Sequence, residues 1–446
     1  MTDADANAVK TGSNAYAWFV VIILAFAYAF SYLDRLIITL MVEPIKQDLG
    51  ISDTQISLLI GISFAIFYTT CALPFAWMAD RFNRRNIIIS GISIWCIMTA
   101  TCGLAKNFVT LFIARMGVGL GEAALVPAAN SMIADYFKKD QIGRALAVFA
   151  TGIAIGAGLS MLVGGKLLSW IGPNNVYNLP LVGALKGWQF TFVVLGLAGL
   201  CLSFVMLLVR EPKRQFDEGE GAATLKSGPS LSETLAYFRK HAKVYAPLYI
   251  GYAFAQTCFY GIGGWIPTLF IRTLEWDVGT FGTVYGLLIA ICGSVAVLGG
   301  GWICDKLFSR GIHDAHWWVT VMALSIIIVY CLLPFTNDGV VIFVILGVGL
   351  FASFIAAAAA PAAIILTTPN QYRAIATALF FFTINIIGMT LGPFIIAIFM
   401  EYVFKSPDSI GASIGLLAGI AWVMTLIVLF LGKKAYADRI KARHEG

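Results

Sequence analysis

Four ionisable side chains stand where ionisable side chains are rare. Asp34 and Arg35 interrupt one long apolar run, and Arg115 and Glu122 interrupt another, NFVTLFIARMGVGLGEAALVPAANSMIA from Asn107 to Ala134. A charge inside a hydrocarbon-spanning helix costs at least about 2.5 kcal/mol, so such groups are found paired, binding a ligand or carrying protons. Two acids and two arginines make a neutral set, which lowers the cost of burying them. Arg115 and Glu122 are two helical turns apart and share a face, with Gly117, Gly119 and Gly121 between them. Asp34 and Arg35 are adjacent, so they point about 100° apart and only one of them can face a given neighbour.

The elements carrying these residues are set by composition. The chain has 446 residues, 59% of them hydrophobic and 12% charged, with a mean hydropathy of +0.84. Soluble domains carry roughly 25% charged residues, so this is a membrane chain. Its apolar runs recur at helix length rather than at the roughly 10-residue alternation of a barrel strand. Twelve spans are expected, the first at 16–43, the fourth at 107–136, the seventh at 244–272 and the eleventh at 371–403. They divide into an N-terminal six-helix bundle (16–209), a polar linker (210–243) and a C-terminal six-helix bundle (244–432), with tails at 1–15 and 433–446. The polar start contains no apolar run of the kind a cleaved leader needs. The stretch LSETLAYFRKHAK from Leu231 fits a surface amphipathic helix as well as a tether.

Lysine and arginine give the orientation. Loops after even-numbered spans hold sixteen basic residues and loops after odd-numbered spans hold six. Both termini are therefore expected in the cytoplasm. With the tails counted, only Arg35 and Arg115 have no topological explanation. The net charge of +6 reflects the same bias rather than nucleic-acid binding. The eight cysteines lie in or at the ends of apolar runs and read as small core hydrophobes. The histidines lie in loops or tails, and no nucleophile motif or phosphate loop is present, so neither an enzyme nor a cofactor or metal site is expected.

An internal repeat supports two bundles: AWMADRFNRR from Ala76 returns as GWICDKLFSR from Gly301, 225 residues on. The first copy resembles the loop signature of the major facilitator superfamily, with Asp80, Arg81, Arg84 and Arg85 matching and Ala76 and Asn83 standing at its two glycines. Arg115, Gly119 and Gly121 resemble that superfamily's second motif. Tyr32-x-Asp34-Arg35, Gly50-Ile-Ser-Asp53 and Arg115-x-x-x-Gly119-x-Gly121-Glu122-Ala123 narrow the resemblance to the spinster family, chiefly in the N-terminal half.

The resemblance implies an all-α transporter of twelve helices in two pseudo-symmetric bundles, without a cofactor, that works by alternating access. Spinster-like proteins are proton-linked or facilitative carriers of lysophospholipids and sphingoid phosphates. The resemblance also places Asp80, Arg81, Arg144 and Asp305 in a cytoplasmic gate. The expected site has Arg35 holding an anion, with Glu122 as first proton carrier and Asp34 as second. Arg115 is the structural partner of helix 1, and Tyr260, Trp265, Phe381 and Asn385 line the far wall.

By depth, Asp34, Arg35 and Arg115 lie about 12–13 Å from the outer helix ends, and Glu122 about 10 Å deeper. A purely structural network locking helix 1 to helix 4 is the competing reading. Small organic anions such as sugar acids are the alternative substrates, and a sensor or scramblase without coupled transport is the alternative class. Helix 5 has Gly156-Ala157-Gly158 where the superfamily's antiporter motif requires Gly-Pro, so that motif does not support antiport. The expected partners are a small-molecule or lipid substrate, protons and membrane lipids. The expected setting is a monomer in a bacterial inner membrane.

Overall fold

The computed structural model describes residues 14–138, 141–180, 183–214 and 231–444. The N-terminal tail to residue 13 and the middle of the linker, 215–230, lie outside the described residues. Apart from one hairpin, the regular structure of the described residues is helical. Eleven stretches among the described residues are long and apolar enough to cross a membrane. The helix Ala242–Thr268 has 27 residues and is about 40 Å long. Its Tyr245, Tyr249, Tyr252 and Tyr260 with Lys243 and Gln256 lower its hydropathy, which sets it apart from the eleven.

Contacts divide the chain into two compact units, Met1–Gln215 with Asp277–Ala290, and Phe216–Trp276 with Ile291–Gly446. In the first unit, α1 (Asn14–Leu40) packs along α8 (Ile142–Ile171). Helix 2 of the sequence is two pieces, α3 (Asp53–Ile60) and α4 (Ile62–Arg81), joined at Gly61, after the short α2 (Val42–Leu49). Next come α5 (Arg84–Cys102), α6 (Phe108–Glu122) and α7 (Leu125–Tyr136). A two-stranded antiparallel hairpin, β1 (Val176–Leu179) with β2 (Gly183–Lys186), leads into α9 (Gly187–Met206), which packs on α5. Sequence patterning gave no sign of this hairpin. It is anchored by an ion pair from Lys186 to Asp48, whose other oxygen accepts 2.9 Å from Trp188 Nε1.

In the second unit, the linker helix α10 (Leu231–Lys240) precedes α11 (Ala242–Thr268), which packs along the C-terminal α17 (Ile410–His444). Between them come α12 (Val278–Ser309, whose first part, to Ala290, belongs to the first unit), α13 (Ala315–Ser325), α14 (Gly339–Thr367), α15 (Arg373–Ile384) and α16 (Thr390–Ile398). A π segment, Asn385–Met389, joins α15 to α16. Its cause is local: Pro393 has no N–H to give the Met389 carbonyl, so the ladder loosens one turn before it. The glycines of α11 do not unwind it, and the helix runs unbroken to Thr268. Gly261 serves instead to admit α16, because a Cβ there would lie 3.0 Å from the Gly392 carbonyl oxygen.

The internal repeat is visible in each unit. Arg81 lies over Trp77, 4.2 Å from the ring centre, and 225 residues later Lys306 lies over Trp302 at 4.4 Å. Both pairs are i,i+4 cation–π contacts at the ends of helices.

Candidate functional site

The fourth sequence span is not one helix. Asn107 caps α6, its Oδ1 accepting from Thr110 N while the Thr110 hydroxyl reciprocates. The helix ends at Glu122, two residues short of α7. Pro127 lacks the N–H that would bond the Ala123 carbonyl, so the chain tightens there into shorter-range bonds such as Ala124 N to Gly121 O at 3.3 Å. Glu122 therefore projects from a helix terminus inside the bundle. Gly119 and Gly121 make the surrounding space narrow. A Cβ at Gly119 would lie 2.5 Å from the Phe64 carbonyl oxygen, and one at Gly121 2.5 Å from Trp95 N, so α4 and α5 press against α6 at backbone contact.

Into this space come the four ionisable groups. Arg35 donates from one terminal nitrogen to Glu122 Oε2 at 2.7 Å. Its guanidinium lies among three rings, 4.8 Å from Tyr32, 4.5 Å from Phe64 and 4.6 Å from Tyr68. Arg115 makes no ion pair among the described residues. It donates 3.2 and 3.3 Å to the backbone carbonyls of Asp34 and Arg35, so it clamps the main chain of α1. Asp34 accepts 3.0 Å from the Thr99 hydroxyl of α5, and its other oxygen has no partner. Glu122 Oε1 and the Nε atoms of Arg35 and Arg115 are likewise buried without partners. Asp34, Arg115 and Glu122 are 0%, 1% and 2% exposed, and Arg35, at 9%, is the least buried of the four.

The structure brings all four expected residues together but pairs them differently. Depth arithmetic put Glu122 below the other three; the long Arg35 side chain spans that interval and meets it. Arg115 acts as the partner of helix 1 through carbonyl oxygens rather than through Asp34. The rings of Tyr32, Phe64 and Tyr68 were missed. Their signal was in the sequence: Phe64 and Tyr68 are one turn apart on one helix, and Tyr32 is three residues before Arg35.

The other expected residues separate into two groups. In the second unit, Tyr260 donates 3.3 Å to Asn385 Oδ1, and Asn385 opens the π segment, a place where backbone is already distorted. Phe381 is exposed. Trp265 is fully buried, with its Nε1 donating 2.9 Å to the Pro393 carbonyl, so it holds α11 to α16 and is no lining residue here.

Of the expected gate residues, Asp80, Arg81, Arg144 and Asp305 are all exposed, and no ion pair joins Asp80 to Arg144 among the described residues. The buried arginine of that loop is Arg84 instead. It donates 2.7 Å to Glu211 and 3.1 Å to the Pro212 carbonyl, and pairs with Asp135. Arg85 N donates 2.9 Å to Glu211 Oε2. Together they tie the start of the linker to α5 and α7.

The Major Facilitator Superfamily profile matches residues 24–393. An MFS-type efflux pump of Mycolicibacterium smegmatis is 28% identical over 406 residues, covering 89% of this chain and 86% of the relative. The Drosophila melanogaster protein spinster is 29% identical over 202 residues, 45% of this chain and 31% of that protein. A probable galactarate/D-glucarate transporter of Bacillus subtilis is 26% identical, covering 66% of each chain. Among solved structures, a bacterial homolog of the human lysosomal transporter spinster, inward-facing and unoccupied, superposes with a TM-score of 0.76. It is 24% identical and covers 96% of this chain and 98% of that one, a likeness that shows the fold.

Proposed function

We propose that this chain, which belongs to the major facilitator superfamily, is a secondary active transporter of an anionic amphiphile, a lysophospholipid or a lipid phosphate, driven by protons. The observation that carries the reading is the Arg35–Glu122 pair at 2.7 Å inside a cage of three rings, with Arg35 the least buried of the four ionisable groups. A guanidinium is a fork matched to phosphate or carboxylate, and the rings beside it offer an apolar surface to what the anion is attached to.

Arg35 carries a single positive charge, so a second anion on it would leave a net negative charge in a buried site. A substrate anion arriving at Arg35 displaces Glu122, which then stands buried at a helix end without a cation. It recovers neutrality by taking a proton, so anion and proton load together. Asp34, held only by the Thr99 hydroxyl, is the second site for a proton. Loss of the Arg35–Glu122 link removes one of the ties between α1 and α6 and shifts the balance between states. Arg115 keeps the α1 backbone in place throughout, and Tyr260 and Asn385 form a polar pair within the second unit.

The basic-residue bias supports cytoplasmic termini, and the proposed setting is a monomer in a bacterial inner membrane. Asp80, Arg81, Arg144 and Asp305 then serve as the cytoplasmic gate, engaged in another state of the cycle. A second reading, favoured by the Bacillus subtilis relative, is a carrier of sugar acids. Proteoliposome uptake with and without a pH gradient separates them. Lysophospholipid accumulation driven by the gradient supports the first reading, and sugar-acid uptake without lysophospholipid uptake replaces it. Transbilayer lipid movement indifferent to the gradient assigns the chain to the uncoupled scramblase class.

A further inference from the structure

The first unit contains a groove that the transport reading does not use. It lies where the end of α8 meets the start of α12, a cavity of about 500 Å³ lined by Lys166, Ser169, Trp170, Asp277, Thr280 and Thr283. The two helices touch here at their backbones. A Cβ at Gly286 would lie 2.4 Å from the Gly158 carbonyl oxygen, and one at Gly282 2.3 Å from that of Met161. With the seam so tight, the flanking side chains form two ridges beside it. On α8, Ile155, Leu159 and Val163 are exposed apolar residues at helical spacing, continuing to Lys166 and Trp170 on the same face. On α12, Leu287 and Val284 are exposed and lead to Thr280. Two apolar ridges thus run up to a polar end.

The polar end has an unusual charge. Lys166 is inside a candidate membrane span, about 8 Å below the last residue of α8, yet it has no ion pair or hydrogen bond among the described residues. An unpaired lysine at that depth sends its ammonium up its apolar stem to the head-group level. Trp170, 80% exposed, sits one turn above it, where indole rings concentrate at membrane interfaces. Asp277 faces the same cavity. Its Oδ2 caps α12, accepting 2.8 Å from Thr280 N, and it does not pair with Lys166. A cation and an anion therefore share one small cavity without neutralising each other.

We propose that this groove is a binding site for a zwitterionic aminophospholipid. The phosphodiester lies on Lys166 and the Ser169 hydroxyl, the ammonium lies on Asp277, and an acyl chain runs down the ridges of Ile155, Leu159, Val163, Val284 and Leu287. The site is separate from Arg35 and binds a lipid of the surrounding leaflet as a fixed component of the α8–α12 seam.

Native mass spectrometry of the full chain, released from vesicles of equal phosphatidylethanolamine and phosphatidylglycerol, reads the bound lipid directly. Phosphatidylethanolamine retention should fall about fivefold in Lys166→Gln, the worth of one partly exposed ion pair. Asp277→Asn keeps the helix cap, since asparagine caps as well as aspartate, but removes the charge. It should bring phosphatidylglycerol up to parity with phosphatidylethanolamine. Equal phosphatidylethanolamine retention in the native chain and Lys166→Gln overturns the site, and so does an unchanged lipid ratio in Asp277→Asn. The readout does not depend on transport, so its failure leaves the reading of Arg35 untouched.

Discussion

Replacing Glu122 by glutamine removes one charge from the buried pair and changes little else in shape. Two unit charges 2.7 Å apart attract by about 6 kcal/mol at the effective dielectric that describes protein sites. Glutamine still offers Arg35 a hydrogen bond to a neutral oxygen, worth about 1.5–3 kcal/mol because the donor is charged. The three rings around Arg35 are the same in both proteins, so their contribution cancels.

An incoming anion then has about 3 kcal/mol less competition for the guanidinium, close to 100-fold in affinity. Glu122→Gln should therefore bind a lysophospholipid far more tightly than the native chain at a pH where Glu122 is ionised. It should also exchange labelled for unlabelled lipid across proteoliposomes, yet fail to accumulate it when a pH gradient is imposed, because the group that takes the proton is gone. Gradient-driven accumulation at the native level, or affinity unchanged by the substitution, would refute the competition between Glu122 and substrate.

Arg35→Lys keeps the charge but loses the planar fork and its stacking on Tyr32, Phe64 and Tyr68. Equilibrium binding of the anion should weaken by about 1–2 kcal/mol, roughly five- to thirtyfold. Gly119→Ala puts a methyl group 2.5 Å from the Phe64 carbonyl oxygen. Thermal unfolding in detergent should show a loss of about 1–3 kcal/mol from the forced separation of α4 and α6. Thr99→Val leaves the Asp34 carboxylate with no hydrogen bond, and the same unfolding measurement should show a loss of about 1–3 kcal/mol.

The linker helix α10 gives a pH test outside the membrane. Its Tyr237 stacks 4.2 Å from Tyr372 and accepts 3.0 Å from Arg439. Beside it, burial and then the charges of Arg439 and Lys240 hold His241 below its ordinary pKa. A histidine with a lowered folded pKa contributes stability that is present above its unfolded value, about 6.5, and is lost as pH falls through the folded value. Hydrogen-exchange protection of Leu231–Lys240 should therefore decline below about pH 6.5.

Much of the framework was legible in the sequence because it follows from strong, local signals. Apolar run length gave the helices, and the census of basic residues isolated Arg35 and Arg115. The repeat at Asp80 and Asp305 reappears as two matching cation–π pairs. The pairing inside the site was not legible. Helix depth counts Cα positions, whereas an arginine side chain reaches about a turn in either direction. The cage needed Phe64 and Tyr68, and nothing local places α4 beside Arg35; the close approach rests on Gly119. Trp265 resembled a lining residue because aromatic spacing does not say which face is covered, and the Pro393 carbonyl that takes its N–H is 128 residues away. Arg84 looked like one more positive-inside residue. Its burial depends on Glu211 and Asp135 arriving from two other helix ends.

The central claim is that an anion and Glu122 compete for one guanidinium, and that the displaced carboxylate takes up a proton. Calorimetric titration of the purified protein with a lysophospholipid, repeated in two buffers of different ionisation enthalpy, counts protons taken up on binding. The account predicts uptake of about one proton per anion in the native chain and none in Glu122→Gln. Binding without proton uptake in the native chain, or the same uptake in both proteins, would contradict it.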